Sequence, residues 1–237
     1  MSDLRLVIFD VDGTLVDSQA DILAAMQAGF SAVGRRVPPR DMVLSIVGLS
    51  LDVAIARLAP DASDADVAAM VAAYKTAYVA QQASDAAAPL YPGVRQVLDK
   101  IGQQENWLLG VATGKSRRGL TAVLTTHGLG NVFVTEQVSD FHPSKPHPAM
   151  LQAALDETGV AAADAVMVGD TSYDMDMAKA AGITGIGVSW GYHPRSALKS
   201  AELILDDMAE LPAVLAQKWG ANGSATGRPS VSGKPLR

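Results

Sequence analysis

The stretch Leu4-Arg5-Leu6-Val7-Ile8-Phe9-Asp10-Val11-Asp12-Gly13-Thr14 decides the fold. Its apolar half is short, rich in β-branched residues and closed by a glycine, which is the pattern of a buried strand. Two carboxylates therefore sit at the C-terminal end of that strand, where open α/β sheets bind their ligands. With a side-chain period of two, Asp10 and Asp12 point the same way if the extension continues past Phe9. Like charges held this close repel, so the pair calls for a cation between them or a proton on one of them. Such an arrangement suits a metal-assisted reaction with one nucleophile and one acid/base.

Working outward, similar apolar runs recur. Leu108-Leu109-Gly110-Val111-Ala112 runs into Thr113-Gly114, Val132-Phe133-Val134 into Thr135, and Ala165-Val166-Met167-Val168 into Gly169-Asp170. Further strands are predicted at Gly185–Val188 and Leu203–Leu205. Between them Leu120, Val123 and Leu124, and then Met150, Leu151, Ala154 and Leu155, carry helical spacing. Strands alternating with helices of this length predict an α/β fold, a doubly wound parallel sheet. The segment from about Ser18 to Ala88 breaks the alternation. Asp17 or Ser18 can cap a first helix through Ile22, Leu23, Met26 and Phe30, and Val67, Met70, Val71, Tyr74 and Tyr78 mark one face of a second long helix. We read residues 17–88 as an inserted all-helical cap domain, residues 1–16 and 89–219 as the α/β core, and 220–237 as a flexible tail with little to bury.

A chain of 237 residues accommodates one large domain with such an insertion. Its formal net charge of -6 argues against general affinity for nucleic acid or an anionic membrane. The absence of cysteine excludes disulfides and thiol catalysis. No apolar run is long enough to span a bilayer, and no signal-like N-terminus is present, so the expectation is a soluble cytoplasmic protein. Monomer and homodimer are equally open.

Strand ends meet along one edge of a doubly wound sheet, and here that edge collects Asp10 and Asp12, Thr113 and Gly114, and Asp170. The loop Ser144-Lys145-Pro146 can bring Lys145 to the same edge, and Asp174 follows Asp170 by one helical turn. Each part has a use in phosphoryl transfer. A carboxylate can attack phosphorus, and its neighbour can protonate the leaving oxygen and later deprotonate water. The Thr113 hydroxyl and the Gly114 amide can donate to phosphate oxygens, and Lys145 can neutralise phosphate and nucleophile. Carboxylate oxygens are the hard ligands that Mg²⁺ prefers. Four Asp and one Lys carry about -3 before a ligand arrives, and like charges at ~4 Å repel by roughly 4 kcal/mol at an effective dielectric near 20. Mg²⁺ brings the pocket to about -1, so metal-free protein is expected to bind phosphate esters poorly.

These residues resemble the haloacid dehalogenase superfamily. Asp10-Val11-Asp12-Gly13-Thr14-Leu15-Val16-Asp17-Ser18 matches its first motif, Thr113-Gly114-Lys115 its second, Lys145-Pro146 its third, and Gly169-Asp170-Thr171-Ser172-Tyr173-Asp174 its fourth, all in the family's order. The resemblance implies that Asp10 is the nucleophile and Asp12 the general acid/base. It also implies Mg²⁺ held by the Asp10 side chain, the Asp12 carbonyl oxygen and Asp170, with Asp174 nearby. An acid at Asp12 is the phosphatase pattern, since a halide leaving group needs no proton. Within that group the chain looks most like phosphoglycolate phosphatases acting on a small phosphate monoester. Alternatives on the same residues are a phosphosugar mutase and an inorganic pyrophosphatase. A non-enzymatic alternative is a phospho-aspartate switch, although such modules lack an insertion of some 70 residues after their first strand.

The remaining candidates read as structural. Asp176 reads as surface and Asp17 as a cap. His142 and His147 lack the i, i+4 spacing of a helical zinc site. Arg57 and Lys75 read as surface charges, Tyr74 and Tyr78 as helix packing, and Ser50 as part of a cap turn.

Overall fold

The computed structural model describes residues 4–82 and 88–220. Six parallel strands form one sheet: β1 (Arg5–Phe9), β2 (Trp107–Thr113), β3 (Thr135–Val138), β4 (Ala165–Gly169), β5 (Thr184–Val188) and β6 (Leu203–Leu205). Their order is β3-β2-β1-β4-β5-β6, with β1 paired to β2 on one side and β4 on the other. The chain order reverses beside β1, so the C-terminal ends of β1, β2 and β4 share one crevice, the place where such sheets take ligands.

The strand period explains how β1 holds the layers together. Leu6 and Ile8 face a cluster with Met150, Leu151, Met167 and Met177, while Val7 and Phe9 face one with Leu98, Val111, Val168 and Leu215. These four of the five β1 side chains are fully buried, and each such burial contributes about 1.5–3 kcal/mol. Helices α5 (Val94–Gly102), α6 (Arg117–Thr126), α7 (Ala149–Thr158), α8 (Ser172–Ala180) and α9 (Leu211–Gly220) make up the other layers.

The strand expected at Val132–Val134 lies instead at Thr135–Val138. Phe133 is buried, but Val134 is 60 % exposed and only its N–H reaches the sheet, donating to the Leu109 carbonyl at 2.9 Å. Thr135 takes the register position opposite Gly110, where a Cβ would lie 2.7 Å from the Thr135 methyl. The edge strand is polar because Glu157 of α7 satisfies it: Thr135 and Gln137 donate to Glu157 Oε2 at 2.5 and 2.8 Å.

Between β1 and β2 the chain forms α1 (Gln19–Ala32), α2 (Arg40–Leu44), α3 (Leu51–Leu58) and α4 (Asp64–Gln82). They bury a separate cluster that includes Ile22, Met26, Phe30, Val43, Ile55 and Met70. The outgoing and returning chains run side by side: Asp17 N–H donates to the Pro89 carbonyl and Tyr91 N–H to the Leu15 carbonyl, each at 2.9 Å. Gly220, assigned above to the tail, is the last residue of α9; residues 221–237 lie outside the described residues. Among the described residues no helix is long and apolar enough to cross a membrane.

Candidate active site

The chain leaves β1 in a tight turn. Val11 accepts through its carbonyl from the amides of Thr14, Leu15 and Val16, and Gly13 sits at φ +85°. That turn buries Asp10 and leaves Asp12 at its rim, 1 % and 9 % exposed. Gly13 is required twice over: a side chain is strained at this φ, and its Cβ would lie 2.3 Å from Asp170 Oδ2. Gly191, in the loop after β5, closes on the same carboxylate from the other side, where a Cβ would meet the Asp170 Cβ at 2.1 Å.

Asp10, Asp170 and Asp174 are all buried, and one carboxylate oxygen of each lies within 4.8 Å of the others. Asp170 is fixed by Thr14 Oγ1–H on Oδ1 and the Tyr192 N–H on Oδ2, both at 2.8 Å. Asp170 precedes α8 rather than lying on it. Asp174 reaches back as the third residue of a capping box, accepting from the Thr171 amide at 3.0 Å and its hydroxyl at 2.6 Å. Its other oxygen accepts from Lys145 Nζ at 2.7 Å. The same ammonium lies 2.9 Å from Asp10 Oδ1, yet neither Asp10 oxygen has a hydrogen-bond donor.

Burial pushes Asp10 up to about 7; Lys145 pulls it down, and Asp174 and Asp12 raise it again. Burial likewise drives Asp170 well above the usual carboxylate range, reinforced by Asp174 and Asp10. For Lys145, burial alone would favour the neutral amine, but Asp10 and Asp174 overcome it and hold the ammonium charged. Three buried carboxylates against one cation form a site short of positive charge. The orphaned Asp10 oxygens and the hard, all-oxygen donor set fit Mg²⁺.

Asp12 stands apart from this trio. Its Oδ1 is 2.9 Å from Lys115 Nζ and also accepts from the Ser18 hydroxyl. Lys115 in turn donates to the Tyr78 hydroxyl at 2.7 Å, linking the sheet edge to α4. Burial disfavours the Lys115 charge, but Asp12 and Tyr78 more than restore it. Counting Lys115, the formal charge of the four aspartates and two lysines is about -2, less negative than the estimate made without it.

Thr113 is buried at the end of β2, where its Oγ1 accepts from the Lys115 amide at 3.2 Å and keeps its own proton to donate. Gly114 does allow a close backbone approach, but the approaching backbone is the helical unit: a Cβ there would lie 2.5 Å from the Leu49 carbonyl oxygen and 2.7 Å from that of Gly48. The Ser50 amide donates to Ser144 Oγ at 2.9 Å beside it. Together these elements enclose a cavity of about 800 Å³, with Asp10, Asp12, Thr113 and Gly114 at its sheet end.

Some residues differ from their sequence reading. Ser18 occupies the N-cap position of α1 without a capping hydrogen bond, because its hydroxyl is turned to Asp12. Tyr74 and Tyr78 stack with ring centroids 5.9 Å apart and line the cavity as well as packing, and Lys75 lines it too. Arg57 instead stacks on Tyr173, 5.5 Å from its centroid. His142 pairs with Gln137 at 2.8 Å, and the Ala149 amide donates to His147 Nδ1 at 3.3 Å. Sequence reasoning gave no site duty to Lys115, Thr14 or Tyr192, and read Ser18 only as a candidate helix cap. Lys115 carried a signal, standing two residues after a strand-end Thr, and the loop after β5 opens on the same sheet edge. Ser18 carried none, since its role depends on how the turn closes.

A family model for haloacid dehalogenase-like hydrolases matches residues 7–188. "Probable phosphatase IndB" of Dickeya dadantii (strain 3937) is 37 % identical over 211 residues, covering 87 % of this chain and 91 % of that protein. "Phosphoglycolate phosphatase" of Pseudomonas fluorescens (strain Pf0-1) is 33 % identical over 213 residues, covering 87 % and 78 %. A hydrolase from Pseudomonas syringae of known crystal structure shares the fold with a TM-score of 0.80 at 23 % identity, over 90 % of this chain and 98 % of that one. With the acidic crevice at the end of β1 and this match across most of the described chain, the protein belongs to the haloacid dehalogenase-like hydrolase family.

Proposed function

We propose that the chain is a Mg²⁺-dependent phosphatase that hydrolyses a small-molecule phosphate monoester through an aspartyl-phosphate on Asp10. The carrying observation is that Asp10 is buried, faces the cavity, and has no hydrogen-bond donor on either oxygen, while a lysine lies 2.9 Å away. Relatives named as phosphatases and phosphoglycolate phosphatases support the substrate class. The helices of residues 17–88 serve as the cap over the core of 1–16 and 89–219.

In the first half-reaction an Asp10 oxygen attacks phosphorus and the ester P–O bond breaks. Asp12, protonated, gives its proton to the leaving alkoxide. Both contacts to Asp12 fall on Oδ1, so Oδ2 is the oxygen for proton transfer. In the second half-reaction Asp12 takes a proton from water, and the resulting hydroxide attacks the phosphorus of aspartyl-phosphate. Inorganic phosphate leaves and the Asp10 carboxylate is regenerated. Thr113 Oγ1–H, the Gly114 amide and Lys145 bind the phosphoryl oxygens. Asp10, Asp170 and Asp174, with the Asp12 carbonyl, would hold Mg²⁺, which supplies positive charge against those oxygens.

The test is phosphate release from a panel of phosphate esters with Mg²⁺, together with acid-quench trapping of phosphoenzyme. Asp10→Asn should lose turnover by at least about 10⁴-fold, in line with loss of a nucleophile, and should trap no phosphoenzyme. Full activity of a purified Asp10→Asn protein refutes the assignment.

A further inference from the structure

We infer that the ester taken by this site has a bulky, uncharged, ring-bearing leaving group rather than a compact acidic one. The inference rests on the phosphatase reading above and names its substrate class. The cavity of about 800 Å³ lies within the range that encloses drug-sized ligands, roughly 300–1,000 Å³. A compact ester such as 2-phosphoglycolate leaves most of that volume to water.

Away from the sheet end the wall includes an apolar stretch built from Ile22, Met26, Ile46, Leu49, Val71 and Tyr74. Tyr74 and Tyr78 stand one helical turn apart with their rings nearly parallel, 8° between planes, and so present aromatic surface to the cavity. Aromatic side chains offer large contact area and prefer offset or edge contacts with other rings.

Charge argues in the same direction. A leaving group with its own carboxylate needs a cation to receive it. Among the described residues lining the cavity the cations are Lys75, Lys115 and Arg118. Lys115 is held between Asp12 and the Tyr78 hydroxyl. Lys75 and Arg118 are exposed, and Lys75 stands within electrostatic reach of Asp52. Asp52 and Asp140 also line the cavity. A second anion would have only the exposed Lys75 and Arg118 to receive it, with Asp52 and Asp140 beside them, whereas a neutral ring loses water against apolar surface.

The test compares kcat/KM of the Mg²⁺-loaded enzyme on four esters that all leave as primary alkoxides, so that leaving-group basicity does not decide the order. Adenosine 5′-monophosphate and uridine 5′-monophosphate carry uncharged rings; glycerol 3-phosphate and 2-phosphoglycolate are compact. The ring-bearing esters should exceed 2-phosphoglycolate by tenfold or more. Tyr74→Ala should narrow that ratio by removing ring surface. Val71→Phe, which fills the cavity without removing packing, should narrow it too, through a higher KM for the ring-bearing esters. Preference for 2-phosphoglycolate in the wild type, or an unchanged ratio in Val71→Phe, overturns the inference and leaves the phosphatase reading standing. Failure to hydrolyse any ester overturns both.

Discussion

Replacing Lys145 by Met keeps most of the side-chain volume and removes the one ammonium that neutralises the acidic cluster. In the native protein that ammonium lies 2.9 Å from Asp10 and 2.7 Å from Asp174. Without it, the formal charge of Asp10, Asp170, Asp174 and position 145 falls from -2 to -3, entirely in buried space. Two carboxylates at the 4.8 Å limit of this cluster repel by about 3 kcal/mol at an effective dielectric near 20. Breaking a buried ion pair by removing one partner typically costs about 3–5 kcal/mol. We therefore expect Lys145→Met to lose about 3–5 kcal/mol in chelator at pH 8, a large share of the roughly 5–15 kcal/mol that holds a domain folded. The assay is urea denaturation followed by circular dichroism, at pH 8 and pH 5, with EDTA or with Mg²⁺. At pH 5 the loss should shrink, because Asp10 titrates near 7 and is then already protonated in the wild type. Mg²⁺ at pH 8 should recover part of it by restoring positive charge to the carboxylates. A loss under about 1 kcal/mol at pH 8, or one equal at both pH values, would refute the electrostatic reasoning.

The wild type has its own pH dependence in chelator. Asp10 is raised from 3.8 to about 7, so its contribution to stability is fully present below about pH 4 and is lost as pH climbs through 7. The loss reaches about 4 kcal/mol; urea midpoints at pH 4, 6 and 8 should fall in that order with EDTA and much less with Mg²⁺. Gly114→Ala pushes a Cβ to 2.5 Å from a carbonyl oxygen of the helical unit, where neither backbone can yield cheaply. It should cost about 1–3 kcal/mol, visible as a lower thermal midpoint, and should cut phosphate release by lifting the unit off the sheet edge. Tyr78→Phe leaves the buried Lys115 without its hydroxyl acceptor. It should cost about 1 kcal/mol in a double-mutant cycle with Lys115→Met, and should lower kcat more than it changes KM.

How far the sequence revealed this structure depends on which contacts are local. The strand before Asp10 was legible because a buried parallel strand is a short apolar run, and five of the six strands announce themselves this way. Thr135–Val138 did not, since its polarity is balanced by Glu157 on a helix some twenty residues away, and an apolar run just upstream drew the assignment forward. Asp174 was read from the sequence as a site residue one turn after Asp170, and the structure makes it a helix-cap residue as well. The capping box and the Lys145 contact use its two different oxygens, so the two roles hold together. Gly114 was read for its amide, whereas the structure also sets it against the backbone of Gly48 and Leu49, and no local pattern names a partner from an inserted unit. The same limit hid the bridge from Lys115 to Tyr78, which forms only when α4 packs against the sheet edge, whereas the contacts of Ser18 and Tyr192 depend on how the turn after β1 and the loop after β5 close.

The duties proposed for the four aspartates accord with how hydrogen-bond donors are distributed among them. Asp170 has an amide and a hydroxyl, Asp174 an amide, a hydroxyl and an ammonium, and Asp12 a hydroxyl. Asp10 has no hydrogen-bond donor although it is as buried as the others. A hydrogen bond to a carboxylate ties up a lone pair and lowers its tendency to attack, so the oxygens that are to bond phosphorus are better left without one. Leaving a buried carboxylate unsatisfied carries a penalty of about 1–3 kcal/mol or more, and a fold that served stability alone would place a donor there. The surrounding side chains could supply one: Lys145 already lies 2.9 Å away, yet its hydrogen bond goes to Asp174. A lysine whose hydrogen bond goes to a carboxylate that already has other donors is an arrangement that keeps Asp10 electrostatically supported and free of a hydrogen bond. That combination is what a nucleophile needs and what a structural carboxylate does not.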